Sequence, residues 1–371
     1  MSYQLYISFQ NDDCIKQYEM DPNTGSLSLC GEFEASGGPS HLTFNPAGNI
    51  IYVGFRGRGD GLHTGGDGTP RDDFGLGSFA IDPASGKLTS MKRVQMKGEP
   101  TYMRTDARGK FLLSAFFQAG HCAVNKIEAN GAVGECIQWQ PTNPGAHSIQ
   151  IDASNRYMFV PHIALGNGGL TRLKDKPTPA NAIFQFKFDQ ETGKLTPNDP
   201  PKVGPPKDNH LGPRHSVFHP TQPWLYVCNE QISSVTRYTL DKDNGTLTMG
   251  KTVTTLPQDA NLSRKTSCGD IQIHKNGRFL YAPNRGHNTI CSFVVDQATG
   301  DITPTGWGRA DPRPRAFMLD PTGNFLYCSG FEVGTLTGYR INQQDGTLTE
   351  LETYKAGNVP MGILITKLPG A

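Results

Sequence analysis

GPRHSVFHPTQPWLYVCNEQISSVTRYTLDKDNGTLTM, residues 212–249, is the stretch on which the fold turns. Apolar SVF and WLYV flank the polar turn HPTQP, which reads as strand, turn and strand. Further on, DKDNG ends in Gly245 ahead of another short run. Asp or Asn followed by Gly suits a hairpin turn, because Gly accepts the positive φ that such turns demand. One such stretch therefore holds about four short strands joined by tight turns.

Both halves of this pattern recur along the chain. The glycine turn returns as DPNTGSLSL (21–29), DPASGKLTS (82–90), EANGAVGE (128–135), DQETGKLTP (189–197), DQATGDITP (296–304) and NQQDGTLTE (342–350). The strand–turn–strand unit returns as HLTFNPAGNIIYVGF (41–55), YMRTDARGKFLLSAF (102–116), HSIQIDASNRYMFVPH (147–162), DIQIHKNGRFLYAPNR (270–285) and AFMLDPTGNFLYCSG (316–330). A lone half-unit, PMGILITK (360–367), lacks a partner strand that the N-terminal QLYISFQND can supply. Four antiparallel strands recurring at this spacing make a propeller blade. The expectation is an all-β, seven-bladed β-propeller with four antiparallel strands per blade, formed by residues 1–371 as a single domain. Its last blade is closed by strands from both ends of the chain, which removes an open sheet edge. Two spacings are stretched by insertions at about 56–77 and 164–182, expected as loops at one end of the ring.

Composition supports this and narrows the function. The 43 Gly and 27 Pro are spread evenly, as in a chain that turns often. A net charge of +1 with no basic run argues against nucleic acid as a partner. No window of membrane-spanning length is apolar, and the first residues show no secretory signal, so no membrane partner is expected. The eight cysteines form no C-x-x-C pair and sit largely in apolar runs. They read as reduced thiols of a cytoplasmic protein. Oligomeric state stays open, and a homo-oligomer is compatible with the sequence.

Charge gathers at the ends of the repeated hairpins, where inner strands meet the propeller axis. Aligning the hairpins brings together His41 and Arg56, His147 and His162, and Arg214 and His215 with Asn229 and Glu230. Asp270 joins Asn284, Arg285 and His287, and Arg313 and Arg315 join Glu332. Arginine forks suit carboxylate or phosphate, and His and Glu move protons near neutral pH. The set points to a small anionic substrate. No compact ligand spacing calls for a metal or other cofactor, and Asp60 and Asp67 of GRGDGLHTGGDG do not match an EF-hand loop.

At these residues the chain resembles the seven-bladed propeller lactonases. These include cofactor-free bacterial 6-phosphogluconolactonases and the fungal 3-carboxy-cis,cis-muconate lactonizing enzyme. The similar stretches are GPRHSVFHPTQPWLYVCNE, GDIQIHKNGRFLYAPNRGHNTICSF, PRAFMLDPTGNFLY and PGAHSIQIDASNRYMFVP. The resemblance implies His147, Arg214, Glu230 and Arg285 as catalytic residues. His41, His162, His215, Asn229, Asp270, Asn284, His287 and Arg315 are then expected at the substrate. It also implies hydrolysis of a small anionic lactone of the 6-phosphogluconolactone kind without metal, with Glu230 or His147 as the base. A cycloisomerase that forms or opens a muconolactone would use the same clamp, and a non-catalytic propeller that binds a partner is the reading of a different class. The hairpin ends SAFFQAGH, CSGFEVG and GFRGRGDG depart from the family pattern, which implies a remodelled rim.

Overall fold

The protein is described by a computed structural model covering residues 3–57, 74–163, 181–205, 211–260 and 265–368. Most of both predicted insertions, including Asp60 and Asp67, lies outside these residues.

The described strands form seven separate antiparallel sheets, each built on a four-strand path. The blade containing the opening stretch shows the plan. Its strands are Pro213–Phe218, Trp224–Asn229, Ser234–Asp241 and Thr246–Thr254, paired in that order from the inside outward. The second strand is buried at every residue, while Thr246–Thr254 alternates towards solvent. This gradient explains the sequence texture. A strand covered by neighbours on both faces needs a continuous apolar run, and an outer strand does not.

The ring closes as expected. The C-terminal strand Pro360–Lys367 is the innermost of its blade, and Tyr3–Phe9, Cys14–Met20 and Leu27–Glu34 follow it outward. Antiparallel pairing runs from Tyr3↔Lys367 to Phe9↔Pro360.

The hydrophobic core is divided between blades rather than gathered at one centre. One cluster packs Tyr157, Phe159 and Ile183 of the third blade on Leu225, Val227 and Tyr238 of the fourth. Equivalent clusters join each remaining neighbouring pair, including the closing blade to the first and the sixth. The glycine turns belong to these seams. Gly245 has φ +69°, and a Cβ placed there would lie 1.9 Å from the Tyr157 ring of the preceding blade. The six matching turns also have their glycine at positive φ.

A second seam element was not visible in the sequence. Tyrosines of the second strands donate across to the turn glycine of the next blade. The bonds are Tyr6 Oη to Gly86 O at 2.6 Å, Tyr52 to Gly131 at 2.8 Å, Tyr226 to Gly300 at 2.8 Å and Tyr327 to Gly25 at 2.7 Å. Each buried phenol thereby gains the partner it needs, at a net benefit of about 1 kcal/mol.

Candidate active site

The innermost strands surround a central channel of about 520 Å³, the size of a small-molecule site. Its lining includes His41, Arg56, Tyr102, Arg104, His147, Arg214, His215, Asp270 and Arg315.

A backbone irregularity prepares one end of this channel. Arg214 and His215 do not precede the first strand, as the sequence suggested, but lie within Pro213–Phe218. Pairing jumps there from Pro213↔Asn229 to Ser216↔Val227, a bulge that falls on the Arg–His pair. The same jump occurs between Pro39 and Leu42 around His41, and between Pro314 and Phe317 around Arg315. In the fifth blade the inner strand is broken into Ser267–Cys268 and Gln272–Ile273, and Asp270 sits in the break. Four blades thus present their charged side chains from the same irregular level.

The opening hairpin is charged at both ends because its two ends meet. Arg214 Nε lies 2.7 Å from Glu230 Oε2, and Arg285 Nη1 lies 3.4 Å from the same oxygen. Arg214 Nη1 also donates to Gly269 O, which ties the guanidinium to the next blade. Burial works to raise the Glu230 pKa, but Arg285, Arg214 and Arg315 outweigh it and hold the carboxyl below its ordinary range. Glu230 and Arg285 are not among the residues lining the channel; they join it through Arg214. Arg285 keeps Nε and Nη2 buried without hydrogen-bond partners among the described residues.

Arg315 stands among several other guanidiniums. It lines the channel and packs on Phe331 at 4.9 Å, with no ion pair to a carboxylate among the described residues. Burial, then Arg285, Arg56, Arg214 and Arg313, push its pKa well below the ordinary arginine value. By contrast, Arg56 is paired with Glu99.

Three imidazoles complete the lining. His215 Nδ1 lies 2.6 Å from Asp270 Oδ1. His147 sits 5.1 Å from His215, ring centre to ring centre, and its buried Nδ1 has no partner among the described residues. His41 accepts the Met103 N–H at Nδ1 and packs on Tyr102 at a tilt of 38°, with ring centres 4.0 Å apart. Burial lowers the pKa of all three, to about 3 for His41 and well below the usual range for His147. They are neutral imidazoles at neutral pH.

Four expected substrate residues are placed otherwise. His162 is fully buried, with Nδ1 on Val160 O at 2.7 Å and Nε2 on Thr142 Oγ1 at 2.9 Å. Asn229 donates to Ser234 and Thr236 hydroxyls inside its own sheet. Asn284 accepts from the Thr255 hydroxyl and donates to Thr255 O. His162 and Asn229 end their second strands and Asn284 stands one residue before the end of its own, all three as interior polar links. His287 is partly buried, with Nδ1 2.9 Å from Thr289 Oγ1, and lies outside the channel lining. The sequence reading also missed Tyr102 and Arg104. Register would have found Tyr102, since it opens its hairpin unit as His41, His147 and His215 open theirs.

Comparison with known proteins agrees with this architecture. The family model for the seven-bladed β-propeller lactonases matches residues 4–365. A 6-phosphogluconolactonase of Pectobacterium carotovorum is 30% identical over 368 residues, covering 99% of this chain and 100% of the relative. One from Yersinia enterocolitica is 30% identical over 365 residues, with 98% of each chain covered. Among solved structures, a periplasmic gluconolactonase of Pseudomonas aeruginosa superposes with a TM-score of 0.84 at 23% identity, covering both chains fully.

Proposed function

The chain belongs to the seven-bladed β-propeller lactonases, and from that membership we propose that it hydrolyses a small anionic lactone of the 6-phosphogluconolactone class. The observation that carries the anionic part is Arg315. An arginine that lines a channel among four other guanidiniums, with no carboxylate of its own among the described residues, is a receptor for a negative group.

Arg315 and Arg214 hold the substrate anion at the bulged level of the channel. Glu230 does not serve as the base, since two guanidiniums keep it ionised and weakly basic. It aligns Arg214 and Arg285 instead. Proton transfer then falls to the neutral imidazoles. An imidazole takes a proton from water as the oxygen adds to the lactone carbonyl. The guanidiniums stabilise the charge that develops on the carbonyl oxygen. The imidazolium then returns its proton to the departing ring oxygen. The eight free thiols support a reducing compartment for this reaction.

The test is the initial rate of 6-phosphogluconolactone opening above the spontaneous rate, with EDTA present. We expect a rate that EDTA does not change and that falls about 100-fold in Glu230→Ala, the scale for losing an oriented electrostatic group. Equal turnover of an uncharged lactone of the same ring size would overturn the anionic assignment. No rate on either lactone would overturn the hydrolytic one.

A further inference from the structure

Three imidazoles line the channel, and their surroundings separate them. His41 spends Nδ1 on a backbone N–H and packs on Tyr102. Among the described residues His147 has no carboxylate beside it, and an imidazolium there would face Arg214, His215, Arg285 and Arg315. Among the described residues His215 alone of the three has a carboxylate against its ring, with Nδ1 2.6 Å from Asp270 Oδ1.

The Asp270 carboxylate is itself held. Its Oδ1 accepts the Ile271 N–H at 2.8 Å, and the break in the inner strand gives it room to turn towards the fourth blade. Its pKa lies below the ordinary value: burial opposes this, but His215 and the Ile271 N–H prevail. An ionised carboxylate only accepts hydrogen bonds, so His215 carries its proton on Nδ1. Nε2 is left with its lone pair. The ring is fixed from other sides by Tyr102, edge-on at 5.1 Å, and by His147 at 5.1 Å.

We propose that His215 is the general base of the reaction and that Asp270 is its positioning residue. This deepens the lactonase reading and rests on it. Water gives a proton to His215 Nε2 as its oxygen bonds to the lactone carbonyl carbon. Collapse of the tetrahedral adduct breaks the ring C–O bond, and the proton on Nε2 passes to the ring oxygen. One water is consumed and the base is regenerated. Asp270 holds the productive tautomer and balances the imidazolium while it lasts, a division of labour known from other His–carboxylate pairs. The charged and titratable groups around His215 are Asp270, Arg214, Arg285, His147, His41 and Tyr102. Only Asp270 among them favours the imidazolium.

The experiment uses the full chain with 6-phosphogluconolactone and compares Asp270→Asn, His215→Gln and the double variant, each checked for its fold by circular dichroism. Asp270→Asn should lower kcat by about 100-fold or more, with KM within about threefold. The acid limb of its kcat/KM profile should move to lower pH, because the imidazolium has lost its only stabilising charge. The double variant should be no slower than His215→Gln alone, since the two residues act as one unit. A kcat kept within about threefold in Asp270→Asn would overturn the assignment, and so would losses that multiply in the double variant. A second measurement needs no substrate and no variant. Long-range ¹⁵N–¹H NMR of the wild type at neutral pH should show His215 protonated on Nδ1, and a proton on Nε2 would sink the dyad. Wild-type protein inactive on every lactone, with the Nδ1–H tautomer present, would count against the lactonase reading and leave the dyad standing.

Discussion

Replacing Gly245 by alanine tests whether the blades are locked by their turns. Two costs add. Alanine at φ +69° carries the left-handed penalty of about 1–2 kcal/mol. Its methyl group would also start 1.9 Å from Tyr157 Cδ1, so the ring or the turn must shift. Overpacking of this kind costs about 1–3 kcal/mol. Gly48 provides the control. It has φ +70°, but a Cβ there meets only Thr366 Oγ1 at 3.4 Å. Gly48→Ala should therefore show the conformational cost alone. The difference between the variants, about 1–3 kcal/mol, isolates the contact between blades. For a chain of 371 residues the unfolding entropy makes each kcal/mol worth roughly 1.3 °C, so Gly245→Ala should melt roughly 1–4 °C below Gly48→Ala. Scanning calorimetry resolves this. Equal melting temperatures would refute the idea that the turn is seated on the neighbouring blade.

Further outcomes follow from the channel and from the buried histidine. Arg315→Met should raise the melting temperature and the KM together, because it removes an uncompensated charge from among four guanidiniums and with it the anion receptor; a lower melting temperature would show that Arg315 has an unrecognised structural partner. His162 should make the protein acid-sensitive. Its pKa is lowered from 6.5 to about 3 by burial, so the unfolded chain takes up a proton that the folded one refuses. The stability that follows from this is present above pH 6.5 and lost progressively as pH falls towards 3. Denaturant titrations across that window should show a shallower decline in His162→Gln than in the wild type, and parallel curves would refute it.

The fold was legible because its local rules repeat. Seven turns closing on a glycine, six of them at the same four-residue offset, argue against unrelated hairpins, and the half-unit at 360–367 pointed to closure from both ends. The site was legible at the level of the hairpin ends, since Arg214 and Glu230 do meet. It was not legible at the level of single residues. Asn229 ends its strand with its side chain bonded inside the sheet, whereas Glu230 begins the turn beyond it and meets Arg214, and the bulge on the facing strand leaves no mark in the sequence. For this reason His162, Asn229 and Asn284 were drawn towards the channel and Tyr102 was passed over. The pairing of His215 with Asp270 joins residues 55 apart on two blades and depends on a broken strand that no propensity announces.

The closing blade also sets an order of events. Residues 3–34 supply its three outer strands and are synthesised more than 300 residues before its innermost strand, residues 360–367. Until that strand arrives, Tyr3–Phe9 lacks its inner partner and waits as an open edge. The growing chain therefore carries an unpaired, association-prone edge until residues 360–367 are made. A chain cut short just before residue 360 should be more prone to aggregate than the loss of one strand would suggest.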